Sequence, residues 1–346
     1  GVDMHVLRSF YFSDAADDED TIADALFGDA LPRHPRIGRY LATYAGHVEE
    51  AGFREQGSSG GLGSWLADQL LARGLADAVV QVAPAMPSVE GAQTAGKEAL
   101  FRYRIARDRT ELGAGAKSRY HPVTLAQVLA QVRAWPGRYV FVGLPCFIKA
   151  IRLTASQDPA FANSVACCIG LVCGHLKTRG FGECLGWQLG VPPAALEDID
   201  FRKKLPGQGA NRYGVEVSGR VNGRRHTQVA MARRLFGSDW GLGLFKPKAC
   251  DYCDDVIAET ADAVIGDAWL PGYVRDSRGS NILVLRRPDL LELVAAGRRD
   301  GVLALDEVTP EAIAASQASG LAHRREGLAC RLWLADRQGQ WRPRRR

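Results

Sequence analysis

The chain has 346 residues, 46% hydrophobic and 24% charged, the make-up of an ordinary globular protein with room for one large or two ordinary domains. Its net charge of +5 comes almost entirely from the closing Arg342-Pro-Arg-Arg-Arg346, whose four arginines leave a body near +1. No run approaches the ~18 apolar residues of a membrane span. Eight cysteines without an export leader point to a reducing, cytoplasmic setting and to metal or redox chemistry rather than disulfides.

Gly1-Val-Asp3 ahead of Met4 reads as a cloning remnant, and residues 4–36 as an acidic, then proline-bearing arm. Arg39–Ala45 has strand composition. The turn Gly57-Ser-Ser-Gly-Gly61 precedes a helix whose apolar positions Leu62, Trp65, Leu66 and Leu70 recur at helical spacing until Gly74. Strands are expected at Ala76–Val82 and Leu100–Ile105, the second followed by the loop Gly113-Ala-Gly-Ala-Lys-Ser-Arg-Tyr120. A helix over Thr124–Trp135 leads to the apolar strand Tyr139–Val142, then Gly143-Leu-Pro-Cys146 and a helix bearing Ile148, Ile151 and Leu153. Val165–Val172 is a further buried strand, and the helix around Phe181, Cys184, Leu185 and Leu189 stops at Gly190. Tyr213–Val221 and Arg224–Met231, joined by Asn222-Gly223, read as a hairpin with a type I′ turn. Ala263–Gly266 and Asn281–Arg286 supply two more strands, and residues 289–335 read as mostly helical or irregular. The pattern predicts an α/β fold with a mixed sheet, flanking helices and an antiparallel hairpin insertion. The arm would lead into a body at 37–290, divided as 37–120 and 121–290, with a C-terminal extension at 291–346 that ends in the basic tail. No aromatic-and-basic groove accompanies that tail, so it reads as a solvated end and nucleic acid is not expected as a partner.

Chemistry concentrates on four cysteines that follow buried strands or turns: Cys146, Cys173, Cys250 and Cys253. The last two form a C-x-x-C pair, for which a redox dithiol is the rival reading, although such dithiols normally open a helix near the start of a domain. Pro145 suits a first helical turn, which would set Cys146 among free backbone N–H groups that stabilise anionic sulfur. Four sulfurs make either a closed zinc site or an iron–sulfur centre. Cys167 and Cys168 adjoin within a strand and must face opposite sides. With Cys184 and Cys330 they read as core or surface thiols. The turn Ser58-Ser-Gly-Gly61 before a helix has the form of a phosphate cradle, and Lys117-Ser-Arg-Tyr120 offers two cations and a stacking ring.

Taken in order, six pieces resemble the beta-subunit family of coenzyme F420-reducing hydrogenases and dehydrogenases, which also includes 7-hydroxymethyl chlorophyll a reductase and divinyl chlorophyllide reductase. They are Gly57-Ser-Ser-Gly-Gly61, Ala116-Lys-Ser-Arg-Tyr120, Val142-Gly-Leu-Pro-Cys146, Leu171-Val-Cys-Gly-His175, Phe201-Arg-Lys203, and Cys250-Asp-Tyr-Cys253 leading to Ala261-Asp262 and Gly266-Asp267. The resemblance spans roughly residues 37–290. It implies an FAD beside a [4Fe–4S] cluster, with Cys146, Cys173, Cys250 and Cys253 as cluster ligands. Ser58, Ser59, Gly60, Gly61, Lys117, Ser118, Arg119 and Tyr120 become the expected flavin contacts. His175 could tune the cluster or donate a proton, and Lys203 and Arg202 could meet an acidic substrate or the flavin phosphates. Coenzyme F420 is the implied co-substrate, beside a small-molecule substrate. Many relatives carry a cysteine-rich ferredoxin-like segment, and nothing before Cys146 here is a cysteine. In a complete chain, electrons would therefore come from a separate donor or acceptor, a ferredoxin-like protein or a reduced deazaflavin, and a homo-oligomer is compatible with the sequence. Two rival readings are an electron-relay subunit of a larger complex and a zinc-stabilised nucleotide-binding module without redox turnover.

Overall fold

The computed structural model describes residues 17–85 and 99–343; the start of the acidic arm and the last three arginines fall outside the described residues. The first half contains α1 (Glu19–Phe27), β1 (Ala42–Val48), α2 (Leu62–Ala72), β2 (Ala78–Pro84), β3 (Phe101–Ala106), α3 (Ala126–Ala134), β4 (Tyr139–Gly143) and α4 (Pro145–Gln157). Then follow β5 (Val165–Leu171), α5 (Arg179–Gln188), β6 (Leu196–Lys203), β7 (Gly214–Val221), β8 (Arg224–Met231), β9 (Ala263–Asp267), β10 (Asn281–Leu285), α6 (Pro288–Arg299), β11 (Leu303–Glu307) and α7 (Pro310–Ser316). A helical run over 318–337 closes the chain, with a π-type turn at Ala322–Glu326 and a last α-helical stretch at Gly327–Arg337.

Eight strands form one mixed sheet in the order β11-β1-β10-β9-β5-β4-β2-β3. The apolar runs β9, β5, β4 and β2 lie parallel at its centre, and antiparallel partners close both sides. A parallel centre must be covered on both faces, and alternation along each strand supplies two cores. Val80, Phe141 and Cys168 enter the one that holds Ile148 and Ile151 of α4. Val79, Val140 and Cys167 enter the other, with Trp65, Leu66 and Leu70 of α2. The adjacent cysteines thus face opposite sides, as their positions in the strand required.

The predicted hairpin is β7 and β8, and its turn has φ of 52° at Asn222 and 76° at Gly223, the two positive values a type I′ turn needs. A third strand, β6, which the sequence reading did not place, pairs with β7 to make a separate three-stranded sheet. Acidic residues interrupt its apolar positions Leu196, Ile199 and Phe201, which hides the alternation; Phe181 of α5 stacks on Phe201 at 5.7 Å to cover it. The second unplaced strand, β11, lies inside the segment expected to be helical or irregular. Its five residues Leu-Ala-Leu-Asp-Glu are strand only because the outer edge of β1 receives them. Part of the acidic arm folds onto the body: Glu19 of α1 and Lys149 of α4 form a buried ion pair at 3.3 Å. Among the described residues no helix is long and apolar enough to cross a membrane.

Candidate functional site

The parallel strands deliver their C-terminal ends to one edge of the sheet, the place where α/β proteins bind ligands. Beyond β4, Leu144 is the extended N-cap and Pro145 the first residue of α4, so Cys146 sits in the first helical turn among N–H groups without intrahelical partners. Cys173 lies two residues past β5, where its N–H donates to the Val256 carbonyl at 3.0 Å. Cys250 lies within the short turn Lys248–Tyr252, and Cys253 follows it.

Cys146 and Cys173 feel the charge of their neighbours. Burial pushes the Cys146 thiol well up, and charge on Cys173, Cys253 and Cys250 adds to the shift. Burial likewise carries Cys173 up to about 12, opposed by Arg324 and reinforced by Cys250 and Cys253. Arg324, only 1% exposed, donates from Nε to the Cys253 carbonyl at 2.7 Å and from Nη1 to the Gly174 carbonyl, joining the two cysteine loops. Burial works against its charge, and Cys253, Cys173 and Cys250 more than offset that cost. Among the described residues no three His, Cys, Asp or Glu side chains converge tightly enough to grip a single metal ion.

Next to the thiols opens a cleft of about 690 Å³, within the range of small-molecule sites. Cys173 and His175 line it, as do Ser58, Ser59, Gly61 and the whole of 117–120, so most of the residues singled out in the sequence meet here. Ser58 Oγ accepts from the Ser118 N–H at 2.9 Å and latches the two loops together. Ser59 Oγ donates inward to the Ser280 carbonyl at 2.8 Å. The glycines have a packing role that the cradle reading did not foresee. A Cβ on Gly60 would stand 2.8 Å from both Asn281 N and Gly46 O, while Gly61 has φ of 85° and abuts the Phe53 carbonyl. Lys117 is tied to Asp200 at 3.0 Å. Arg119 lies 4.8 Å over the Phe101 ring. Tyr120 meets Trp240 edge-on at 4.8 Å, and its hydroxyl is pushed up to about 12 by burial.

Three residues that line this cleft each have a buried polar atom without a protein partner: Arg119 Nε, His121 Nε2 and His175 Nε2. Such atoms are expensive to leave unpaired, so a polar ligand or water in the cleft would offset their cost. Arg202 is locked to Asp267 by two bonds, 2.8 and 3.0 Å, and lies 4.1 Å over the Tyr213 ring. Lys177, fully buried, donates to the Leu244 carbonyl at 2.7 Å and lies 4.6 Å over both Phe181 and Trp240. Burial and then Lys246 pull its ammonium down to about 8. His175 is pushed down to about 3 by burial, with Lys177, Arg324, Lys246 and His323 adding, so its ring is neutral near pH 7. Lys203 stands apart from the cleft and pairs with Glu216 at 2.8 Å. The sequence reading did not single out Lys177, Trp240, His121 or Arg324. Gly174-His-Leu-Lys177 extends a chosen motif and was the one available signal; Arg324 carried none.

Two of the central parallel strands thus end at Cys146 and Cys173, and Cys173 lines a cleft that Lys117, Arg119, Lys177 and Arg202 also line. Two family models, both of the coenzyme F420 hydrogenase/dehydrogenase beta subunit, match most of the chain: that of its N-terminal part over residues 43–130, and that of its C terminus over residues 137–311. The chain belongs to the coenzyme F420 hydrogenase/dehydrogenase beta-subunit family, and so to a group of oxidoreductase and electron-transfer subunits. It is similar in fold to a chain of the xenon-derivatised F420-reducing [NiFe] hydrogenase complex from Methanosarcina barkeri. That match has a TM-score of 0.64 at 14% identity and covers 90% of this chain and 99% of that one. No curated protein sequence matches.

Proposed function

We propose that the chain is an iron–sulfur flavoprotein passing electrons between a [4Fe–4S] cluster on Cys146, Cys173, Cys250 and Cys253 and an FAD in the adjoining cleft. The electrons would go on to, or come from, a deazaflavin of the coenzyme F420 kind, a small-molecule substrate or a protein partner. One observation carries the reading: Cys173 is coupled to the other three thiols and also lines the cleft. When bound, a cluster and a flavin together would join one-electron to two-electron chemistry. The zinc module is the rival that metal analysis separates, because a single zinc would draw four sulfurs onto one ~2.3 Å shell.

The chain's own residues divide the work. Arg324 holds the two cysteine loops together and sets a buried positive charge beside the thiolates. The Nε–H of Arg119, which has no protein partner, would donate to a phosphate oxygen, and the Arg202 guanidinium, held by Asp267, would add positive charge beside it. Lys117 neutralises Asp200, which keeps an acid from repelling an anionic ligand. Neutral His175 can accept or donate one hydrogen bond but cannot serve as an imidazolium acid near pH 7. Lys177, with its ammonium near 8, is the cleft group able to hold and release a proton there.

Anaerobic purification followed by iron, sulfide and flavin analysis tests the proposal. Cys146→Ala is expected to lose iron and Cys184→Ala to keep it; equal iron in the two variants would defeat the ligand assignment. A second reading, an electron-relay subunit, draws on the multi-subunit setting of the hydrogenase complex that shares this fold. Reduction of the isolated chain by a reduced deazaflavin would favour the enzyme, and reduction only through a partner protein would favour the relay.

A further inference from the structure

Tyr103 brings a hydroxyl to the turn that carries Cys146. It lies on β3, opposite Val82 of β2, and its side chain enters the core that holds Ile148 and Ile151 of α4. A Cβ on Gly143 would stand 2.9 Å from the Tyr103 hydroxyl oxygen, so the tip of the phenol reaches the last residue of β4. The Tyr103 ring also lies 5.5 Å from that of Phe147, tilted by 48°. Gly143 and Phe147 bracket Leu144-Pro-Cys146, and both line the cleft together with Tyr103. Glycine at 143 leaves the room that the hydroxyl occupies.

A buried tyrosine hydroxyl usually finds a partner. Tyr139 donates to the Trp135 carbonyl at 2.6 Å, and Tyr273 to Asp306 at 2.6 Å. Tyr103 is only 7% exposed, yet its hydroxyl makes no hydrogen bond to a described residue. Burial pushes this hydroxyl up, and charge on Cys146 adds to the shift, so near pH 7 it keeps its proton and can donate. We propose, resting on the reading that Cys146 binds a cluster iron, that the Tyr103 hydroxyl donates a hydrogen bond to the sulfur at the Cys146 corner and tunes the cluster's potential. A donor to sulfur offsets the extra negative charge of the reduced cluster more than that of the oxidised one, so it raises the reduction potential. Tyr103 thereby favours electron flow from the cleft to the cluster over the reverse. One electron moves, and the hydroxyl keeps its proton.

Tyr103→Phe removes the hydroxyl and keeps the ring beside Phe147. The full chain and the variant, both isolated anaerobically with their bound cofactors, are poised at stepped potentials while electron paramagnetic resonance follows the reduced cluster and absorbance follows the flavin. At the midpoint of the unaltered cluster, the variant's reduced-to-oxidised ratio is expected to be about tenfold lower, a fall in potential of about 59 mV for one electron. Iron content and flavin potential should be unchanged. Gly143→Ala, whose methyl would displace the hydroxyl, should move the cluster potential the same way, and it carries the test if Tyr103→Phe fails to fold. An unchanged cluster potential in an iron-loaded variant overturns the proposal. A shift confined to the flavin also overturns it, because the hydroxyl would then serve the flavin. So does loss of iron from both variants, since a tuning donor is not needed to assemble the cluster. Absence of iron from the unaltered chain would instead defeat the functional reading itself.

Discussion

Replacing Arg324 by methionine tests whether one guanidinium holds the two cysteine loops together. The side chain is 1% exposed and spends its donors on the carbonyls of Cys253 and Gly174. Charge-assisted bonds are worth about 1.5–3 kcal/mol each, so losing both costs roughly 3–6 kcal/mol, part of which the buried methionine returns as apolar contact. A net loss of about 3 kcal/mol is the expectation. For 346 residues, an unfolding entropy of about 2.1 cal/mol/K per residue converts that loss to a fall in Tm of about 4 °C. Scanning calorimetry of the metal-free chain reads this number, and iron analysis of the anaerobic preparation reads the second effect, poorer iron retention once the counter-charge to three coupled thiolates is gone. Arg324→Lys keeps the charge but not the fork, so it should lose about half as much stability and keep more iron. Identical Tm and iron content in Arg324→Met and the unaltered chain would refute the reasoning.

Three further outcomes are expected. Gly61→Ala should cost more than about 2 kcal/mol in thermal denaturation, because φ is +85° and the new methyl would stand 2.7 Å from the Phe53 carbonyl carbon. Gly74→Ala, with φ of +64° and open space, should cost only about 1 kcal/mol. The Lys177 ammonium is charged below about 8 and neutral above it. Pyrophosphate affinity measured by calorimetric titration should therefore fall as pH rises through 8, and Lys177→Met should flatten the profile. Because the unfolded chain keeps this proton up to 10.5 while the fold releases it near 8, Lys177 adds stability as pH climbs across that window, and the variant should lose that rise. Arg202→Gln should weaken FAD binding by tenfold or more, whereas Lys203→Ala, which breaks only the pair with Glu216, should leave it unchanged.

Local pattern alone shows where the chain must be strand or helix, because burial imposes a period on neighbouring residues. The apolar runs of β4 and β5, the alternation and Asn-Gly turn of β7 and β8, the stripe on α2 and the proline opening α4 were all legible for that reason. So was the separation of Cys167 from Cys168. The four cysteines could be chosen because each follows a buried strand or a turn, although nothing local says that they meet.

What the fold alone decides depends on residues far apart. Arg324 reaches Cys253 across 71 positions and Gly174 across 150, and no periodicity records such a contact. β11 becomes a strand only at the open edge of β1, and Gly60 is needed only because Asn281 and Gly46 stand against it. Arg202 and Lys203 are equally cationic in the sequence. Alternation along β6 sends one into the cleft against Asp267 and the other to Glu216, and which of the two faces inward depends on the neighbouring strand and cleft wall.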